Sequence, residues 1–166
     1  MKPGYSPAIV LAAGLLLAGT AGAQSAPTLL DTYGRAVALL NYMTTYVGES
    51  LLACAAKNAL TEEQAETRFE AYRVRNAVLL ERAETWSKGV ESRLRAQGEE
   101  RAAQRRAEEA GLSAISEASI RAQGEIGRAR DVRALCAAKL AAFEAGSYDL
   151  SSNAEFVTLL KANPQE

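Results

Sequence analysis

The chain has 166 residues, 23% of them charged, with 19 basic against 20 acidic side chains, no histidine and two cysteines. One ordinary domain fits that length. The missing histidine excludes Ser-His and Cys-His catalysis, and two cysteines are too few for a four-ligand zinc site.

The opening segment, "MKPGYSPAIVLAAGLLLAGTAGAQSAPTLLD", places Lys2 before an apolar run from Ala8 to Ala18 and small residues at Ala21, Gly22 and Ala23. This order of charge, short apolar stretch and A-x-A site describes a secretory signal peptide over residues 1–23. The run falls short of the ~20 apolar residues that a spanning helix needs. Cleavage after Ala23 leaves residues 24–166 as a single helical domain, periplasmic or secreted, with no integral membrane segment. Loss of Lys2 leaves 18 basic and 20 acidic side chains, a net charge of −2. Acids are interleaved with the arginines throughout, and Glu84/Lys88, Glu91/Arg95 and Glu117/Arg121 fall at i,i+4 spacing. That balance offers no electrostatic case for nucleic acid or an anionic membrane.

Prolines occur only at positions 3, 7, 27 and 164, and good helix formers dominate between them. The spacing predicts a first helix from Thr28 to Leu60 with a seam of Tyr33, Val37, Leu40, Thr44, Val47, Leu51, Cys54 and Asn58. These steps of four and three are those of side-by-side, coiled-coil-like packing. A second helix starts at "TEEQ", a capping box of Thr61 and Gln64. Its seam is Ala65, Phe69, Tyr72, Asn76, Leu79, Ala83, Trp86, Val90 and Leu94, with Asn76 as a register-setting polar residue. A third helix carries Ile115, Ala118, Ala122, Ile126, Ala129, Val132, Cys136, Leu140 and Phe143, and stops at Gly146. A short fourth helix opens at "SNAE", where Ser152 and Glu155 act as the capping pair, and presents Phe156, Leu159 and Leu160.

Cys54 and Cys136 are 82 positions apart and both lie on apolar seams. In an oxidising compartment, pairing with each other is their simplest fate. Pairing across bundled helices puts the turn between the second and third helices near residue 102, in the polar stretch between Gly98 and Gly111. The fold expected is therefore all-α: an antiparallel three-helix bundle with a short fourth C-terminal helix, stapled by Cys54–Cys136. Its core should be bulky around Cys54 and thin around residues 95–129.

No P-loop, dinucleotide fingerprint or C-x-x-C motif is present. "DLSSNAEF" begins like a calcium loop, but Ala154 and Leu160 stand where an EF-hand needs Gly and Glu. Catalytic, metal-binding and cofactor-binding residues are therefore assigned to no position, and no cofactor is expected. The residues that suggest a function are on the first helix. From Ala36 to Gly48 it carries no charge, although its seam uses one side only. At 100° per residue, Leu39, Tyr42, Met43 and Tyr46 cluster on a second face. A helix apolar on two faces must bury both or bind with one. The C-terminal helix, starting from the Cys54 end, should reach Tyr46 but not all of Leu39 and Tyr42. The expected function is then an interaction or structural protein whose Leu39, Tyr42, Met43 and Tyr46 face docks a protein partner or a second copy.

"LTEEQ", residues 60–64, is similar to the L-T-x-x-Q motif of the small helical periplasmic stress chaperones related to Spy and CpxP. That resemblance implies an alternative function, ATP-independent binding of unfolded proteins. The family's second such motif has no counterpart here, since "LSSNA" at 150 differs from it at the Thr and Gln positions.

Overall fold

The computed structural model describes residues 27–161, so the expected signal peptide lies outside the described residues. All regular structure among them is helical. The α-helices are α1 (Leu29–Ala56), α2 (Glu62–Ala96), α3 (Glu100–Gly127), α4 (Val132–Glu144) and α5 (Ala154–Lys161), with a 3₁₀ turn at Leu150–Ser152. No described helix is long and apolar enough to cross a membrane.

Local chemistry sets most of the boundaries. Thr28 Oγ1 accepts the Asp31 amide at 3.1 Å and starts α1. The α1 end is closed by Ala59 N–H donating to Cys54 O while Asn58 sits at φ +56°, a left-handed conformation that asparagine tolerates. The Thr61/Gln64 capping box forms in both directions, Gln64 N–H to Thr61 Oγ1 at 3.1 Å and Thr61 N–H to Gln64 Oε1 at 2.9 Å. The turn into α3 falls at Gln97–Glu99, a few residues before the position expected. Gly98 lies there at φ +76°, and a glycine adopts that angle without the Cβ penalty.

The long third helix expected to run from the turn near residue 102 to Gly146 is instead two helices. α3 ends at Gly127, and Asp131 starts α4 by accepting the Ala134 amide at 2.9 Å. Glycine is a poor helix former, and an aspartate with extended backbone is a ready helix start, so the helix breaks without a proline. The cap of α5 also differs from expectation. Asn153 Oδ1 accepts Phe156 N–H, whereas Ser152 Oγ donates to the Ser147 and Asp149 carbonyls and Glu155 pairs with Arg35.

α1 is the central element, touching α2, α3, α4 and α5. Its contacts with α3 are close because small residues meet there. The Gly111 backbone comes up to Val37 and Asn41, and Ala118 and Ala122 of α3 lie fully buried against Tyr46. Toward α2, Tyr33 packs on Trp86 and Gly48 accommodates the ring of Phe69. Cys54 and Cys136 are disulfide-bonded with Cα atoms 5.9 Å apart, in a cluster with Ile126, Val132 and Leu135. The region expected to be thin is filled from elsewhere. α3 supplies only Ala103 and Ala107 there, but Phe156 and Leu160 of α5 join Trp86, Val90 and Leu94 of α2 in one core cluster.

Candidate interaction site

The second apolar face of α1 meets both the C-terminal segment and α3. Leu39 and Met43 are half-buried against the cluster that contains Leu150, Phe156 and Leu160. Tyr46 is buried, and Tyr42 is half-buried beside it, their rings stacked at 6.1 Å. Tyr148, in the loop after α4, lies 5.6 Å from Tyr46 and edge-on to Phe143 at 5.0 Å. The reach argued from sequence for the C-terminal helix is therefore reversed. α4 runs first from the disulfide toward Phe143, so α5 begins further along and covers Leu39, while Tyr148 covers Tyr46.

Beneath these rings lies a polar cluster that joins three helices. Lys139 of α4, 6% exposed, donates from Nζ to Tyr46 Oη at 2.5 Å and to Glu125 Oε2 at 2.7 Å. Tyr46 Oη also donates to Glu125 Oε2 at 2.6 Å. Arg121 donates to Glu125 Oε1 and to Tyr42 Oη, both at 2.9 Å, with its guanidinium over the Tyr46 ring. Burial pushes the Glu125 carboxyl upward, but hydrogen bonds from Lys139, Tyr46 and Arg121 outweigh it and hold the group down to about 2. Burial, followed by the adjoining Glu125 carboxylate, raises the Tyr46 hydroxyl.

A cavity of about 90 Å³ remains between Tyr42, Met43, Tyr46, Arg121 and Tyr148. Ligand sites usually enclose ~300 Å³ or more. Each charge in the cluster has a partner, so the arrangement acts as a bracket holding α4 to α1 and α3. Among the described residues no group of three or more His, Cys, Asp or Glu is placed to hold a metal ion.

The structure thus brings Leu39, Tyr42, Met43 and Tyr46 together on one face and packs other parts of the chain against much of it. Sequence reasoning missed Lys139, Glu125 and Tyr148. Lys139 had a readable signal, as the one cation in "LCAAKLAAF", three residues after Cys136 and four before Phe143 on one helix face. Tyr148 had none, because a loop residue has no periodicity. No protein-family model matches the chain, and no curated protein or solved structure matches it.

Proposed function

We propose that this is an exported helical-bundle protein that acts by docking a protein partner or a second copy of itself, and not by catalysis. In this reading α1, α2 and α3 make an antiparallel three-helix bundle, with α4 and α5 as an arm laid along it. The Tyr33–Trp86 and Gly48–Phe69 contacts support opposite directions for α1 and α2. Export is supported by the leader-like residues 1–23 and by the Cys54–Cys136 pair, since structural disulfides belong mainly to oxidising compartments.

The observation that carries the docking role is the apolar surface left on the outer helices. Val74 and Val78, one turn apart on α2, are 66% and 70% exposed, and Leu112 and Ile120 on α3 are 61% and 68% exposed. Large aliphatic side chains at such exposure on regular helices suit a partner surface. On α1, Tyr42 beside the exposed Arg121 is the accessible edge of the original candidate face.

Sedimentation and site-specific crosslinking of the oxidised chain test this. Val78→Glu or Ile120→Glu should abolish assembly or crosslinking while leaving the melting temperature within about 2 °C, as surface changes usually do. A monomer whose crosslinks are unchanged by both substitutions would refute the docking reading. ATP-free suppression of client aggregation, lost in the same variants, would instead favour the chaperone-like alternative.

A further inference from the structure

We propose that the α3–α4 connector, residues 128–131, is a processing site for an arginine-specific protease, and that the fold keeps the two resulting chains together. Arg128, Arg130 and Asp131 are exposed, and the segment lies between two helices. Among the described residues, the amides of Arg130 and Asp131 donate no hydrogen bond, whereas those of Arg128 and Ala129 only close the end of α3. Upstream, Gly127 has open space where a Cβ would stand, so that side of the connector's entry is not crowded. An exposed, sparsely bonded backbone is what a protease needs to draw a segment into its cleft.

The other connections do not compete. Gln97–Glu99 and residues 145–153 contain no basic residue. Lys57 is exposed, but its bond to Asn58 sits inside a closed helix end, with Lys57, Asn58 and Ala59 amides all bonded back to α1 carbonyls. The remaining described lysines and arginines lie within helices.

Cleavage is hydrolysis. Water adds across the peptide C–N bond after Arg130, leaving a carboxylate on the arginine and an ammonium on Asp131, whereas the bond after Arg128 sits in a closed helix end like that after Lys57. The Cys54–Cys136 bond crosses the cut, because Cys54 belongs to the first fragment and Cys136 to the second. The C-terminal fragment is also held by Lys139 to Tyr46 and by Leu150 to Asn76. The processed molecule is therefore a two-chain form whose arm is released only when the disulfide is reduced.

Limited trypsin digestion of the oxidised chain tests the proposal. The first cut should follow Arg130, giving one species without reductant and two with it, and an unchanged helical circular dichroism signal. Arg128→Gln combined with Arg130→Gln should slow that cut at least about tenfold, as expected when the exposed site itself is lost and cutting must await rarer openings. A lysine-specific protease at the same dose should leave the chain intact. A first cut at Lys57 or inside a helix, an undiminished rate in the double variant, or loss of helical signal on nicking would each overturn the proposal.

Discussion

Asn76 and Leu150, 74 residues apart, share a 2.7 Å hydrogen bond in which the buried asparagine Oδ1 accepts the leucine amide. The same side chain donates to Tyr72 O at 2.8 Å and to Asp149 Oδ1 at 3.3 Å. Arg75, one residue earlier, holds Asp149 and the Phe143 carbonyl. One turn of α2 therefore clasps the loop that leads from α4 into α5.

Replacing Asn76 with alanine strands the Leu150 amide in the core. An unpaired buried donor costs about 1–3 kcal/mol, so urea unfolding should show a loss near the upper end of that range. Hydrogen exchange should rise first across residues 145–161. An Asn76→Ala variant of unchanged stability would mean that the loop is held by other contacts alone.

The Lys139–Glu125 pair makes stability depend on acid. Glu125 has a folded value depressed from 4.5 to about 2, so its contribution is complete above the unfolded value and is lost as pH falls through the folded one. The melting temperature should fall between pH 4.5 and pH 2, with a shallower fall in Glu125→Gln. At neutral pH, Glu125→Ala leaves the buried ammonium without its anion, which costs on the order of 3 kcal/mol. Equal acid slopes in the wild-type and Glu125→Gln proteins would remove Glu125 from this role.

Reducing Cys54–Cys136 opens a loop spanning 82 positions, worth ~4 kcal/mol in the chain-entropy model. For a domain of this size the melting temperature should then drop by on the order of 10 °C. Freshly exported protein should carry no titratable thiol. Two free thiols there would contradict both the staple and the oxidising compartment.

At Gly111 a Cβ would lie 3.5 Å from Asn41 Nδ2 and 3.7 Å from Val37 Cγ1, ordinary contact distances. Gly111→Ala should therefore gain up to about 1 kcal/mol of helix propensity. Gly111→Leu should push α3 off α1 and lose ~1–3 kcal/mol from overpacking. Thermal melts of the two variants should move in opposite directions, and a destabilised alanine variant would show that the helices tolerate no added atom.

The helical seams were legible because burial imposes a period. Val47, Leu51 and Cys54 on α1 and Tyr72, Asn76, Ala83, Trp86, Val90 and Leu94 on α2 are all buried, at the positions that the alternation of four and three picks out. Ile115, assigned to the third seam, is 39% exposed, since α3 meets α1 through alanine and glycine, whose small side chains leave a weak pattern. The two-faced character of Ala36–Gly48 was also readable and reflects the central position of α1. What covers the second face was not readable. Its cover depends on the reversal at 128–131, where nothing stronger than Gly127 and Asp131 marks the break and the residues between them, Arg128, Ala129 and Arg130, are good helix formers. Misplacing that reversal moved the whole C-terminal segment toward the wrong end.

The cluster that joins Tyr33 and Ala36 to Phe156 and Leu160 unites the first and last described helices in one core. During synthesis these groups emerge far apart in time, so α1 and α2 have no complete partner surface until residues near 160 have been made. The chain is thereby kept from finishing its fold while still being elongated, a delay that the proposed export would use.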